Sequence, residues 1–242
     1  MTGQRIGRVI SYVVLILIGL AGIAPFLYLL LLSTKSRLDI LTVPPSLDLH
    51  WGTIKANYGE VIHEDGYLTF VKNSVIVTGI STLIALGLGV PAGYAFSRLR
   101  FRGSDTWAST ILSFRFMPPV AVAIPIYLMI RYLGLLDGYL GLILPYVAFS
   151  LPLVVWIMIG FFDEIPQEID EAAMVDGLTR PFVLLKVLLP LARPGMLVAA
   201  TFGVIFVWNE FLVGLYVINS QGHYTIPTPL NETLAISAPL RR

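Results

Sequence analysis

Residues 171–190 read EAAMVDGLTRPFVLLKVLLP and lie between two long apolar stretches. Asp170 and Glu171 supply negative charge where the dipole of a helix N-terminus favours it, and the Ala-Ala-Met that follows continues a helix. Gly177 offers the positive φ that ends a helix, and Pro181 suits the first turn of the next one. The segment therefore predicts two short helices that meet at a glycine. Taken alone, these residues fit an ordinary loop with a glycine cap equally well.

The spacing of this segment resembles the signature loop of ATP-binding-cassette importer membrane subunits. It runs Glu-Ala-Ala, three residues, Gly177, nine residues, Val187, one residue and Leu-Pro. In that family the loop is a cytoplasmic helix-turn-helix that docks into a groove on a separate ATPase subunit. The resemblance implies that 163–193 form a cytoplasmic coupling loop. The residues that it implies for contact with the ATPase are Glu171, Ala172, Ala173, Asp176, Gly177, Leu189 and Pro190.

The composition is that of a chain dissolved in lipid. Hydrophobic residues make up 56% of the 242 residues and charged residues only 13%, with a mean hydropathy of +0.81. We therefore expect an all-α, polytopic transmembrane helical bundle. The resemblance implies that 1–242 are a single permease domain. A net charge of +1 provides no basic stripe to neutralise the phosphates of a nucleic acid.

The sequence contains no pattern of residues for a metal site or for thiol chemistry. The absence of Cys excludes disulfides, reactive thiolates and thiolate metal sites. The three His residues are scattered without metal-ligand spacing, so no metal site is assigned.

Five apolar stretches each exceed the about 20 residues that a helix needs to cross a bilayer. The first, 9–32, is too long for the apolar core of a cleaved signal and is interpreted as an uncleaved helix. The other predicted spans are 74–97, 106–133, 139–162 and 194–218. Residues 33–71 are then the first periplasmic loop, either a plain connector or a surface that faces a receptor.

Members of the family have a sixth span, and this sequence is expected to lack it. The residues that follow Ile218 are few, and 231–242 are too polar and too short to cross a bilayer. The C-terminus is therefore expected outside. A truncated gene product is left open, and with it the competence of the chain for transport.

Lys and Arg near the span ends predict the orientation. With the N-terminus in the cytoplasm, the basic residues are denser on the cytoplasmic side than outside. The cytoplasmic set is Arg5, Arg8, Arg98, Arg100, Arg102, Arg180, Lys186 and Arg193. This orientation places 163–193 in the cytoplasm independently of the signature, and predicts a multi-pass protein of the bacterial cytoplasmic (inner) membrane.

Span two contains Gly89 and Gly93, four residues apart, a spacing that lets membrane helices pack closely. It predicts a helix buried among others, and no ligand site.

The predicted span 106–133 carries a charge deep inside an apolar stretch. Arg115 lies roughly 12 Å into the span, where an unpaired charge costs at least about 2.5 kcal/mol. It is expected to face inward, either as a pathway or gate residue or as a structural Arg tied to a neighbouring span or a partner subunit. Pro118 and Pro119 are expected to bend or break this helix.

The predicted span 194–218 carries a polar pair, Asn209 and Glu210, within the sequence WNEF at 208–211. Glu210 lies roughly 24 Å along this span, so the pair is also expected to face inward. An ion pair between Glu210 and Arg115 fits this placement, although the sequence alone shows no contact. The predicted substrate pathway consists of Arg115, Pro118, Pro119, Trp208, Asn209 and Glu210.

The tetrapeptide WNEF also resembles one that is typical of the maltose-type carbohydrate-uptake branch. So do LGL at 133–135, GLI at 141–143 and GFF-x-x-IP at 160–166. The resemblance extends over about 74–218 and implies the second permease subunit of a sugar or polyol importer. It further implies a partner permease subunit, two ATPase subunits and a periplasmic or lipid-anchored sugar-binding protein.

No Lys follows a Gly, so the sequence has no Walker A loop, and ATP is expected to bind to partner subunits. No hydrolase or metalloprotease motif occurs, so the chain is expected to have no enzymatic activity and no cofactor of its own. The alternative is a stand-alone ion-coupled secondary transporter or an intramembrane enzyme. An ion-coupled carrier would use a membrane carboxylate such as Glu210 and would usually show internal repeats, which we do not find.

Overall fold

The computed structural model describes residues 2–40, 51–63, 66–99 and 101–228. Every regular element in these ranges is a helix, which confirms the predicted all-α class. The chain forms two compact units, Met1–Tyr67 and Leu68–Arg242. The tail 231–242, on which the prediction of an outside C-terminus rested, lies outside the described residues.

The first unit contains one long apolar helix and two shorter ones. They are α1 (Thr2–Ser33), α2 (Arg37–Ile40) and α3 (Trp51–His63). The side-chain amide of Asn57 in α3 donates hydrogen bonds to the carbonyl oxygens of Ser33 and Lys35, at 2.9 and 3.0 Å. Part of the predicted periplasmic loop is therefore helical and tied to the end of α1.

The remaining helices follow in chain order. They are α4 (Tyr67–Tyr94) with a π-helical continuation (Ala95–Leu99), α5 (Ser104–Ser113) with a 3-10 turn (Phe114–Phe116), α6 (Pro119–Tyr132), α7 (Tyr139–Asp163), α8 (Gln167–Val175), α9 (Arg180–Val183), a π-helical turn (Leu184–Leu188), α10 (Leu189–Leu191), α11 (Arg193–Trp208), α12 (Leu212–Val217) and a 3-10 turn (Gln221–His223).

Three helices in the described part of the chain are long and apolar enough to cross a membrane unbroken. They are Ile10–Ser33, Tyr67–Leu99 and Tyr139–Asp163. Two bent pairs also qualify, Ser104–Phe116 with Val120–Tyr132, and Arg180–Leu191 with Arg193–Trp208. When each bent pair is taken as one span, the count reaches the predicted five. The second pair does not coincide with the predicted span 194–218, because it begins at Arg180, inside the predicted coupling loop.

The first bend, near Pro118, and a further break beyond the second bent pair, at Asn209, have local causes. Pro118 is extended, with ψ 125°, because a residue that precedes a proline is disfavoured in helical conformation. The predicted span 194–218 is not continuous, since α11 ends at Trp208 and α12 begins at Leu212. Here the side-chain amide of Asn209 donates to the carbonyl of Ile205, and such local bonds compete with the helical ladder.

Helices α4 and α7 are in close contact in the second unit. A Cβ added at Gly89 would lie 2.6 Å from Val154, and one at Gly93 would lie 2.7 Å from Met158. The predicted role of Gly89 and Gly93 in helix packing is confirmed. Two apolar clusters lie along this contact, one near the end of α4 and the other near its start.

Candidate functional sites

The segment 171–190 forms two helices that meet at Gly177, as its sequence predicts. Gly177 has φ 93°. Its N–H donates to the carbonyl of Met174 at 3.0 Å, and the N–H of Leu178 donates to the carbonyl of Ala173 at 3.1 Å. These two bonds are a Schellman motif, which satisfies carbonyl groups at the end of α8. Pro181 lies in the first turn of α9, also as predicted.

Helix α8 has one buried and one exposed face. Asp170 and Ala173, three residues apart, are buried, and Ala173 joins the apolar cluster formed by α4, α7 and α9. Val175 is 87% exposed, an unusual position for a branched apolar side chain. Of the predicted ATPase contacts, the exposed ones are Glu171, Ala172, Asp176, Gly177 and Pro190. Ala173 is buried and Leu189 is half-buried. Five of the seven predicted ATPase contacts are therefore exposed and two are not.

A buried ion pair holds α8 against the end of α4. The guanidinium Nε of Arg98 lies 2.8 Å from Oδ2 of Asp170, and the two side chains are only 5% and 9% exposed. The Nη2 group of Arg98 donates to the carbonyl of Ile165 at 2.7 Å. Ser97 donates to the carboxylate of Asp163, the last residue of α7. Sequence reasoning assigned none of these contacts, although it singled out Asp170 for its position in the first turn of α8.

A second candidate site is an open cavity of about 540 Å³ beside α11. It brings together three of the predicted pathway residues, Arg115, Asn209 and Glu210, while Trp208 and Pro118 do not line it. Aromatic and aliphatic side chains that the sequence did not single out complete the wall. They are Phe202, Ile205, Phe206, Phe211 and Leu212.

The two charged residues of this cavity do not contact each other, and each is bound to other groups. The guanidinium carbon of Arg115 lies 4.4 Å from the ring centre of Phe206, in cation–π contact, and its Nη1 reaches the carbonyl of Phe149 at 3.4 Å. The carboxylate of Glu210 accepts the backbone N–H of Val213 at 3.1 to 3.2 Å and thereby caps α12. Within the described ranges, Arg115 and Glu210 form no ion pair, and both remain on the cavity wall.

Residues 85–238 match the model of the family described as binding-protein-dependent transport system inner membrane component. This match covers most of the second unit, including α8, the Schellman turn and the cavity. The chain belongs to this family.

Named relatives agree with that membership. The permease is 29% identical to the inner membrane ABC transporter permease protein YcjP of Escherichia coli, over 94% of this chain and 82% of the relative. It is 33% identical to the diacetylchitobiose uptake system permease protein NgcG of Streptomyces coelicolor, over 90% and 71% of the two chains.

A solved structure extends the likeness to the whole fold. It is a bacterial ABC transporter involved in the import of the acidic polysaccharide alginate. Its chain superposes on this permease with a TM-score of 0.77 at 26% identity, covering 100% of this chain and 84% of the other. The predicted resemblance to carbohydrate-uptake permeases is therefore confirmed.

Family membership decides between the functions that the sequence left open. The chain is an integral-membrane permease of an ATP-binding-cassette importer, and the reading as a stand-alone carrier or intramembrane enzyme is not supported. Such a permease works with another permease, an ATPase and a binding protein.

Proposed function

We propose that the permease carries a sugar or related polyol, and that α8 with its Schellman turn is the element that docks on the ATPase. The exposed face of α8 supports this role, since Val175 and Ala172 offer apolar contact beside the charges of Glu171 and Asp176. The opposite face, with Asp170 and Ala173, packs against other helices of the permease itself. A helix anchored on one side and open on the other can transmit force from a partner.

The arrangement that we propose has the N-terminus and the segment 163–193 in the cytoplasm, as the distribution of Lys and Arg predicts. Two ATPase subunits lie beneath the two permeases, and a periplasmic or lipid-anchored binding protein delivers the sugar from outside. Closure of the ATPases moves α8 as a rigid element and changes access to the pathway.

The Schellman turn offers a direct test of docking. Within the chain, a side chain at Gly177 would meet nothing within 4 Å, so Gly177→Arg costs the fold only the left-handed backbone, about 1 kcal/mol or more. We expect the variant to reach the membrane in normal amounts, because nothing in the permease clashes. It should lose the ATPase on purification and abolish uptake of the sugar bound by its own binding protein.

Gly134 provides a matched control. It also has positive φ, at 68°, and open space around its Cβ, but it lies between α6 and α7. Gly134→Arg imposes the same type of backbone cost without touching α8, and should retain the ATPase. If Gly177→Arg co-purifies with the ATPase at wild-type stoichiometry and still supports uptake, α8 is not the docking element.

The cavity that contains Arg115, Asn209 and Glu210 is proposed as part of the sugar pathway. Its donors and acceptors suit hydroxyl groups, and rings such as that of Phe206 suit the apolar faces of a sugar. The relatives named for diacetylchitobiose and alginate support a carbohydrate cargo for this chain.

Arg115→Leu tests the pathway assignment. The variant keeps apolar bulk against Phe206 but removes the positive charge, so we expect uptake to fall while assembly with the partner subunits persists. Arg131→Leu, which removes an exposed Arg from the last turn of α6, is the control and should transport normally. Normal uptake by Arg115→Leu would exclude Arg115 from the pathway, and failure to assemble would make it a structural residue.

A further inference from the structure

We infer that Arg98 is the positioning residue that makes α4 move together with α8 when the ATPase moves α8. This inference rests on the proposed docking of α8. Helix α8 continues from α7 through a short turn, so the chain itself links these two helices. No such covalent link joins α8 to α4. The structure joins them through the polar contacts of Arg98 and through an apolar cluster.

Arg98 contacts both the turn that leads into α8 and α8 itself. Its Nε group binds Asp170 inside α8, and its Nη2 group binds the carbonyl of Ile165, just before α8 begins. One planar guanidinium therefore fixes both the position and the direction of the helix start, because its donors have a fixed geometry. Ser97 adds a bond to Asp163 at the end of α7.

Helix α8 also packs on the bundle through apolar contacts. Ala173 packs into the cluster that contains Tyr94 of α4 and Phe162 of α7. Apolar contacts are non-directional and permit sliding, whereas hydrogen bonds to a buried ion pair resist it. Motion of α8 thus reaches α4, the span that packs on α7 through Gly89 and Gly93, by way of Arg98.

A double substitution, Arg98→Met with Asp170→Leu, removes the pair without leaving a lone buried charge. Exchanges of this type for apolar residues are often neutral for stability, so the variant should fold and retain the ATPase. Arg102→Gln is the matched control, since Arg102 is an exposed basic residue four positions along the chain.

The measurement is a distance between two spin labels, and the Cys-free chain contributes no background labelling of its own. One label is attached at Glu168, an exposed residue of α8, and the other at Leu83, which is 69% exposed on α4. The assembled importer is compared without nucleotide and with magnesium ATP plus vanadate. In the wild type and in Arg102→Gln, the distance should stay the same in both states.

In the double variant, the distance should change by more than the about 2 Å of an ordinary helix shift. A constant distance in the double variant overturns the inference, and so does a changing distance in the wild type. If the double variant does not accumulate, Arg98→Met with Asp170→Asn takes its place, because it removes both charges and keeps the shape of the side chain at position 170. Loss of the ATPase from Gly177→Arg together with a constant distance in the double variant would refute only the role of Arg98. Retention of the ATPase by Gly177→Arg would instead refute the docking of α8.

Discussion

Helix α4 is fastened at both ends, and the two ends use different chemistry. At the end that contacts α8, one buried ion pair between Arg98 and Asp170 makes the connection. At the start of α4, the buried amide of Asn73 donates to the carbonyls of Gly222 and Tyr224 at 2.9 and 2.8 Å. The polar part of the first connection depends on one charged residue, Arg98. The second belongs to a larger set of hydrogen bonds, most of them to backbone groups.

The second set involves several more residues. The hydroxyl of Tyr139 donates to the side-chain oxygen of Asn73 at 2.7 Å, and the hydroxyl of Ser74 accepts the N–H of Ile226 at 2.8 Å. Asp137 accepts three hydrogen bonds from the neighbouring segment 219–220. Bonds distributed in this way hold a chain segment in one conformation, whereas a single ion pair connects two helices at one point.

The largest effect is expected from Arg98→Ala. This change leaves the carboxylate of Asp170 buried without its partner, which costs about 3–5 kcal/mol. We expect a marked fall in the thermal unfolding temperature of the purified permease in detergent. The double variant Arg98→Met with Asp170→Leu should unfold close to the wild-type temperature. Equal unfolding temperatures for Arg98→Ala and the wild type would mean that the pair contributes nothing to stability.

A smaller effect is expected from Asn73→Ala at the other end of α4. The substitution removes the hydrogen bond from the hydroxyl of Tyr139 and the two hydrogen bonds to backbone carbonyls, at about 1–3 kcal/mol. The segment 218–228 should then become more sensitive to limited proteolysis, while the ATPase remains bound. Asn219→Ala, which removes an exposed amide from the same segment, is the control. Unchanged proteolysis of Asn73→Ala would show that the other bonds suffice.

The smallest effect concerns pH at Asp137. The backbone N–H of Ser220, and next to it the Ser220 hydroxyl and the N–H of Asn219, lower the pKa of the Asp137 carboxyl, and the nearby His223 adds to this shift. A lowered pKa in the folded state stabilises the protein above the ordinary carboxyl pKa of about 3.9, and this contribution is lost as the pH falls through the folded value.

Comparison with Asp137→Asn isolates that contribution from other carboxyls. The wild type should unfold at a slightly higher temperature than the variant at pH values above about 5, and the difference should shrink as the pH approaches about 3. A difference that stays constant over this pH range would mean that the charge of Asp137 does not contribute to the stability of the protein.

Features that depend on local backbone chemistry were predictable from the sequence. The turn at Gly177 and the start of α9 at Pro181 follow from the conformations that glycine and proline permit. The break near Pro118 has the same origin. The close packing at Gly89 and Gly93 was predictable because small residues four apart lie on one face of a helix.

Features that depend on residues far apart in the chain needed the fold. Arg98 and Asp170 are 72 positions apart, and the local sequence around either residue does not indicate that they pair. Arg115 and Glu210 were both predicted to face inward and do line one cavity, but their contacts with Phe206 and Val213 replace the ion pair that their charges suggested. The break of the predicted span 194–218 at Asn209 was also not foreseen.

The sequence by itself determined a membrane-embedded helical chain with a helix-turn-helix at 171–190, because hydropathy, proline and glycine act locally along the chain. The role as an importer subunit came from the resemblance of its motifs to a known family. Only the tertiary structure decided which face of α8 is free and which residue joins it to α4. A helix shows its apolar residues in the sequence, but Asp170 is a charged residue on the buried face of α8. Its burial is stabilised by a partner that only folding brings within hydrogen-bond distance.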